Sequence, residues 1–280
     1  MRSTEILRYT NANGERVEFS FNSTLIPTSF TDSLDINFYT TKNALEDGES
    51  LEGNDFEPRS LVIKAVFQGT STAGELERRI KKVFNPKLSG VLEHTDGNET
   101  KEIAVNVESV PEISFNKALG NVTVKLIAFS SYWCKAKVTE QLAYLTPTFV
   151  FPQSFASPVT FGRKVTQLIN EIQNIGDAEC GYMINIKAAT GSVSNPFIRN
   201  NKTGETIKFN LEMAQNDVVT VDYMSPQPIV YKNGVKDFSI LNALESDFFK
   251  LAIGANTLEY GASVNVANLT ISLSYKPLIL

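Results

Sequence analysis

The strongest constraint on the fold is an alternation of apolar and polar residues that recurs in short runs along the chain. Clear examples lie at residues 182–186, 206–211 and 269–275, where large apolar residues occupy every second position. A period of two residues is typical of β-strands with one buried and one exposed face. Turn-forming pairs such as Asn13-Gly14 and Asp96-Gly97 separate the runs, which predicts a mostly β protein built from hairpins.

Length and composition indicate two folded domains without affinity for nucleic acid. A chain of 280 residues is longer than one hydrophobic core usually serves, and an apolar content of 42% argues against disorder. Acidic residues outnumber basic ones by 31 to 26, so a phosphate backbone would be repelled. The N-terminus lacks a signal peptide and no run reaches the ~20 apolar residues of a membrane span, so we expect synthesis in the cytosol and no membrane contact.

One amphipathic helix is predicted in the first half of the chain. Residues 72–75 form a capping box, and Leu76, Ile80 and Phe84 then share one face. Pro86 ends the helix. The basic residues near its end suit the helix dipole, so we interpret them as a solvated face rather than a nucleic-acid patch.

Three segments lack a regular period. Residues 40–58 are acidic and contain glycine, which predicts a surface loop or a mobile excursion. Residues 135–160 contain three prolines, which favours a domain junction there. Residues 237–253 are ambiguous between a short helix and a loop that leads into a strand, with Gly254 at the end of either.

The residues needed for catalysis or metal binding are absent. His94 is the only histidine and lies beside a predicted turn, with no nucleophile motif to accompany it. Cys134 and Cys180 are isolated, which argues against a zinc site, a redox pair or a disulfide and favours two buried thiols. We therefore expect no catalytic, cofactor-binding or metal-binding residue, no cofactor, and no enzymatic activity.

Two weaker hypotheses remain open. Paired carboxylates, Asp32 with Asp35 or Glu245 with Asp247, would suit a glycosidase, although such pairs arise by chance among 31 acidic residues. Tyr132 and Trp133 would suit a sugar-stacking platform, but we interpret Trp133 as a core or interdomain residue because it ends an alternating strand.

A set of motifs occurs in a recognisable order over nearly the full length. In the first half they are FEPRSLVIKAVF (56–67), GELERRIKKVFNP (74–86), the segment 88–107 and VTVKLIAFSSYW (122–133). In the second half they are Gly176-Asp177, NPFIRNNKTGETIKF (195–209), D-x-V-T-V-D (217–222) and Gly254-x-Asn256-x-Leu258. This set resembles the distal tail (Dit) proteins of siphovirus-type bacteriophages and related prophages, with Ser130-Ser131 where members often carry Asp-Pro.

The resemblance implies both a fold and a role. Residues 1–140 would form a tail-tube-like split β-barrel with one α-helix, and residues 141–280 a galectin-like, jelly-roll-like β-sandwich. The first domain would form a hexameric ring that joins the tail tube to the tail tip and the host-adhesion apparatus. The protein would be a structural part of the virion baseplate, synthesised in the host bacterial cytoplasm.

The implied partners are other copies of the chain, the major tail tube protein, the tape measure protein, the tail-tip (tail-associated) protein and receptor-binding adhesion proteins. Exposed strand edges and residues 40–58 are the expected subunit contacts, because an open edge must be covered. The alternative is a monomeric galectin-like carbohydrate-binding module.

Overall fold

The computed structural model describes residues 4–42, 47–68, 73–97, 99–116, 119–147, 162–165 and 168–280. The chain divides into two compact units; the first comprises Met1–Ala136 and Leu280, and the second comprises Lys137–Ile279. Both units are built from antiparallel sheets, and one α-helix lies within the described residues, so the prediction of a mostly β fold is confirmed. The assignment of residues 1–140 to a tail-tube-like barrel and of 141–280 to a galectin-like sandwich stays a prediction.

The first unit contains eleven described strands and the helix. The strands are β1 (Ile6–Asn11), β2 (Arg16–Phe19), β3 (Ile26–Ser33), β4 (Ile36–Thr41), β5 (Ser50–Phe56), β6 (Arg59–Gln68), β7 (Ser89–Asp96), β8 (Glu99–Val107), β9 (Glu112–Asn116), β10 (Leu119–Ala128) and β11 (Trp133–Lys135), and the helix is α1 (Ala73–Val83). Seven strands form a sheet in the order β2-β1-β7-β8-β10-β6-β3, with β9 paired to β10 and β11 to β8. The two end strands approach each other at one bridge, between Phe19 and Leu25.

The predicted hairpins of this unit are confirmed. Strand β1 pairs with β2 across Asn13-Gly14, and β7 pairs with β8 across Asp96-Gly97. Both glycines have positive φ, 79° at Gly14 and 64° at Gly97, a conformation that glycine adopts without steric cost.

Helix α1 covers one side of the sheet, as its periodicity predicts. Ile80 and Phe84 are fully buried, and the Phe84 ring stacks on Tyr9 of β1 with 4.4 Å between centroids. Leu76, on the same helix face, is only half-buried. Thr72, the first residue of the predicted capping box, lies outside the described residues.

Residues 40–58 are largely exposed, as predicted, but the prediction that they form a loop was wrong. Strands β4 and β5 form a two-stranded hairpin of their own, from the Ile36–Phe56 pair to the Thr41–Ser50 pair. Nearly every residue of both strands is exposed, so neither face selects apolar residues and no two-residue alternation appears in the sequence.

The second unit contains thirteen described strands. They are β12 (Val138–Pro147), β13 (Gly162–Val165), β14 (Ile169–Asn174), β15 (Tyr182–Ala188), β16 (Val193–Asn200), β17 (Thr206–Lys208), β18 (Glu212–Met213), β19 (Val218–Asp222), β20 (Ile229–Lys232), β21 (Val235–Lys236), β22 (Gly254–Val264), β23 (Leu269–Tyr275) and β24 (Leu278–Ile279). One sheet has the order β13-β12-β23-β15-β19-β20-β21, and the other has β14-β22-β16-β17 with β18 on β16. Side chains of both sheets form one hydrophobic core.

Three details of the second unit differ from the sequence analysis. Residues 138–147 form β12 inside the region predicted as an irregular junction, and residues 148–161 of that region lie outside the described residues. Residues 237–253 form a loop that leads into a strand, which was one of the two predicted alternatives, but Gly254 begins β22 instead of ending the segment. The strand predicted at 206–211 ends at Lys208, because the amide of Asn210 donates to the Ile240 carbonyl, 2.8 Å away, outside the sheet.

Candidate assembly surface

The β4–β5 hairpin presents large apolar side chains to solvent. Phe38 is 62% exposed, Tyr39 54% and Leu51 58%, and Ile36 at the base of the hairpin is 45% exposed. Patches of this kind on a folded protein mark surfaces that bind another molecule, because water solvates them poorly. The hairpin is therefore the first candidate for a contact with a partner.

The same hairpin is strongly acidic. Five carboxylates and no Lys or Arg occur between residues 47 and 57; they are Asp47, Glu49, Glu52, Asp55 and Glu57. A binding surface that combines aromatic rings with one sign of charge fits a partner surface with a hollow and the opposite charge.

The base of the hairpin is held against its own unit. The Phe56 ring meets the Tyr132 ring edge-on with 5.8 Å between centroids, and the Glu57 amide donates to the Asp35 carbonyl over 2.9 Å. Across the strands, the Tyr39 hydroxyl donates to Asp55, 3.1 Å away. The exposed rings thus stand on an element whose orientation is fixed at its root.

A surface of the opposite charge lies on helix α1. Four basic residues against two acidic ones occupy the helix, and Arg78 and Arg79 are exposed. Lys82 forms an ion pair with Glu15, and the hydrogen bond from Lys82 lowers the pKa of that carboxyl. Beside the helix, an open hollow of about 620 Å³ is lined by Leu76 and Arg79 from the helix and by Ile26 of the end strand β3.

The structure places Asp32 and Trp133 in a structural cluster. The guanidinium of Arg59, which is 5% exposed, donates to one carboxylate oxygen of Asp32 over 2.6 Å, and the Trp133 indole donates to the other over 2.9 Å. Arg59 also donates to the Ser131 carbonyl over 3.0 Å. Trp133 is fully buried, so its interpretation as a core residue is confirmed, and both Asp32 oxygens already accept hydrogen bonds.

Two further groups adjoin Trp133. The Lys101 ammonium lies 4.5 Å from the centre of the indole ring, and burial lowers the pKa of Lys101. Nε2 of His94 lies 2.8 Å from a carboxylate oxygen of Glu5, while the buried Nδ1 of His94 has no hydrogen-bond partner in the part of the chain that the structure describes. The imidazole packs edge-on against Phe30 with 5.2 Å between centroids. These contacts hold His94 within the fold.

The second carboxylate pair is also engaged in the fold. Glu245 accepts hydrogen bonds from the ammonium of Lys208 and from the Asn242 amide, and the backbone of Asp247 donates to the Thr206 carbonyl over 2.8 Å. Cys180 is buried, Cys134 is half-buried, and neither forms a disulfide. Within the described ranges, no three His, Cys, Asp or Glu side chains are grouped closely enough to hold a metal ion.

Membrane insertion through a helix has no support in the described part of the chain, where no helix is both long and apolar enough to span a bilayer. Sequence reasoning missed two features: the exposed rings of the hairpin and the Arg59–Asp32–Trp133 cluster. The hairpin leaves one usable signal, an aromatic pair at Phe38-Tyr39 next to an acidic run. The cluster joins residues up to 101 positions apart, and no local pattern indicates such a contact.

Two family models match the chain, one in each half of the sequence. Residues 14–128 match a model described as a phage tail protein RIFT-related domain, and residues 175–277 match the C-terminal domain of a siphovirus-type tail component. The chain belongs to the siphovirus-type distal tail protein family. The resemblance drawn from the ordered motifs is thereby confirmed.

Solved structures of phage tail and baseplate proteins share this fold. The Dit protein of phage SPP1, whose structure is described as a paradigm of the hub adsorption apparatus in phages that infect Gram-positive bacteria, is 12% identical, with a TM-score of 0.70 over 98% of this chain and 99% of that one. A chain of the phage P2 baseplate in its activated conformation with Ca is 10% identical, with a TM-score of 0.52 over 97% of both chains. No curated protein sequence matches this distal tail protein.

Proposed function

We propose that this protein is the distal tail hub of a siphovirus-type phage, six copies of which close into a ring that joins the tail tube to the tail tip. The membership of both halves in a tail-component family supports the role, and the exposed β4–β5 hairpin carries the proposal that copies bind each other. The ring acts by geometry and catalyses no reaction. It is synthesised in the host bacterial cytoplasm and becomes part of the virion.

The ring contact joins two different surfaces of neighbouring copies. The acidic hairpin of one copy lies on the basic α1 side of the next, and Phe38 or Tyr39 enters the hollow bounded by Leu76 and Ile26. Opposite charges guide the encounter, and the buried aromatic ring supplies most of the affinity. A contact between unlike surfaces that repeats with rotation closes into a ring.

The remaining partners follow from the position of a hub. One ring face would receive the major tail tube protein and the tape measure protein, and the other would receive the tail-tip (tail-associated) and receptor-binding adhesion proteins. The second unit would hold the adhesion proteins. The support for these partners is the family membership and the likeness to a baseplate chain.

The contact is tested with two variants that each remove one half of it. Phe38→Ala with Tyr39→Ala removes the exposed aromatic rings of the hairpin. Arg78→Glu with Arg79→Glu reverses the charge on the exposed face of helix α1. Each double variant alone should be monomeric by light scattering, whereas the wild-type chain forms rings. Mixed in equal amounts, the two should form dimers and nothing larger, because only one intact contact can form between an unmatched pair.

The control is Phe238→Ala, which removes an exposed aromatic ring from the second unit and should leave the ring intact. Moderate salt should weaken the wild-type ring, since exposed charges are screened within about 10 Å at 0.1 M ionic strength. Rings formed by the Phe38/Tyr39 variant, or a mixture without dimers, would exclude the hairpin-to-helix contact. A wild-type chain that stays monomeric with the tail tube protein present would exclude the hub.

A further inference from the structure

A second concave surface lies wholly within the second unit. A hollow of about 560 Å³ is bounded by the turn between β16 and β17, by the residue that follows β19, and by the loop that precedes β22. Both sheets of the unit therefore contribute to its walls. Clusters of loops at the end of paired sheets are common positions for ligand sites, because the strands hold the loops in place.

Two aromatic rings dominate one wall of the hollow. Tyr223 and Phe248 are both half-buried and meet edge-to-face, with 6.1 Å between centroids. The Tyr223 ring packs in turn against the ring of the fully buried Tyr182, with 6.3 Å between centroids, and this contact supports the Tyr223 ring. The two ring planes are inclined by 69°, so they form an angled apolar wall that is presented to a ligand at little cost in side-chain entropy.

The charges around the hollow cancel. Its walls include two carboxylates, Glu179 and Glu205, and two ammonium groups, Lys202 and Lys250. The Lys250 ammonium lies 6.0 Å from the centre of the Tyr223 ring. A site with equal numbers of both signs attracts neither anions nor cations strongly, but it offers many hydrogen-bond donors and acceptors. It favours a neutral ligand with several hydroxyl groups.

The walls are preorganised by hydrogen bonds. The buried Asn256 amide donates to the Ala252 carbonyl over 2.8 Å and accepts from the Ala252 amide over 2.9 Å. Cys180 and Leu251 exchange two backbone hydrogen bonds of 3.1 and 3.0 Å. The loop is therefore fixed before any ligand binds, which reduces the entropic cost of binding.

Tyr182, whose ring packs against Tyr223, carries a buried hydroxyl. This hydroxyl has no hydrogen-bond partner among the described residues, which disfavours the folded state. Burial raises the pKa of Tyr182 well above its ordinary value, and the nearby charges of Tyr223 and Glu205 raise it further. The Tyr182 ring is held by packing against Tyr223 and Phe249.

We propose that this hollow, defined by Tyr223, Phe248, Lys202, Lys250, Glu179 and Glu205, is a saccharide subsite that stacks one pyranose ring on the aromatic wall. The apolar C–H face of the sugar lies on one of the two rings, and the other ring, inclined by 69°, meets the edge of the sugar. The lysines donate hydrogen bonds to its hydroxyl groups and the carboxylates accept them. This site is independent of ring closure, because none of its residues belongs to the hairpin or the helix.

The test is ligand-observed saturation-transfer NMR with the full chain and four disaccharides: lactose, maltose, cellobiose and chitobiose. At least one should receive saturation, strongest at its ring C–H protons, at millimolar concentration. Tyr223→Ala and Phe248→Ala should each weaken that binding about fivefold or more, as expected for one lost stacking contact. Inorganic phosphate should not displace the sugar.

The matched control is Phe238→Ala. Phe238 is also an exposed ring with a lysine ammonium above it, that of Lys236 at 5.5 Å, but it does not line the hollow. Its removal should leave sugar binding unchanged. Absence of transfer to all four sugars, unchanged affinity in a folded Tyr223→Ala or Phe248→Ala protein, or displacement by phosphate would overturn the proposal. Ring size, measured in parallel, should be the same in every one of these variants.

Discussion

The first unit contains two hairpins that are alike in backbone pairing and opposite in burial. In β7–β8, Leu92 faces Ile103 across the strands and both side chains are buried. In β4–β5, Phe38 and Leu51 are more than half exposed. The first hairpin lies inside a sheet between β1 and β10, whereas the second pairs with no other described strand.

This difference in burial shows which of the two hairpins is stabilised by contacts within its own chain. A lone two-stranded hairpin is only marginally stable in water, because it buries little apolar surface. Hairpin β4–β5 is held at its base by the Phe56–Tyr132 contact, and the described residues of this unit leave its outer part exposed. Its apolar residues therefore cost solubility without stabilising the subunit, which is expected when they serve a contact between subunits.

The largest predicted effect comes from a leucine-to-alanine substitution, made separately in each of the two hairpins. Leu92→Ala should lower the free energy of unfolding by about 2–5 kcal/mol, because it leaves a cavity between Tyr9 and Ile103. Leu51→Ala should change it by no more than about 0.5 kcal/mol, since the side chain is 58% exposed. Denaturant unfolding of the monomeric subunit measures both values, and ring size by light scattering should fall for Leu51→Ala alone. Equal destabilisation by the two variants would contradict the comparison.

This contrast also explains how far the sequence predicts the fold. Residues 89–107 were predictable because one buried face imposes alternation and Asp96-Gly97 supplies the turn. Hairpin β4–β5 was not, because two exposed faces impose no pattern. Loop 237–253 was ambiguous for a related reason, because its apolar residues follow neither a helix period nor a strand period. Its backbone is held instead by hydrogen bonds to other segments, such as the bond of 2.9 Å from the Asn242 amide to the Lys208 carbonyl.

The functional surfaces were less predictable than the fold. Residues 40–58 could be chosen as a contact segment from their length and acidity, but the hollow beside α1 depends on Ile26 and Leu76, which only the fold brings together. The hollow of the second unit joins Tyr223 to Phe248 across a loop that has no motif of its own. Sites assembled from distant segments leave no spacing for a sequence to reveal.

Substitution of one glycine in each hairpin tests the same comparison, with a smaller expected effect on stability. A Cβ added to Gly90 of β7 would lie 2.5 Å from the Tyr9 ring, which is buried and stacked on Phe84. Gly90→Ala should therefore cost about 1–3 kcal/mol through overpacking. Gly53 of β5 has open space around the same position, so Gly53→Ala should be neutral or slightly stabilising. Thermal unfolding of both variants decides the matter, and a loss of stability in Gly53→Ala would show that hidden contacts cover the hairpin.

The smallest predicted effect separates two tyrosines by their response to alkaline pH. The hydrogen bond to Asp55 raises the pKa of the exposed Tyr39, whereas burial raises the pKa of Tyr9. In both cases the folded state favours the neutral phenol, so the stabilisation is complete below the ordinary value of about 10 and is lost as the pH rises through the raised value. Tyr39 should ionise while the subunit stays folded, and Tyr9 only as it unfolds.

Tyrosinate absorbance, compared between the wild type and Tyr39→Phe, isolates the first titration, and circular dichroism follows unfolding. Asp55→Asn should bring the Tyr39 titration back toward its ordinary pKa without moving the unfolding transition. Tyr9→Phe should shift that transition to higher pH, because it removes a group whose ionisation drives unfolding. If Tyr39 instead ionised together with unfolding, the hairpin would belong to the cooperative core of the first unit, and its exposed rings could not be assigned to a contact between subunits.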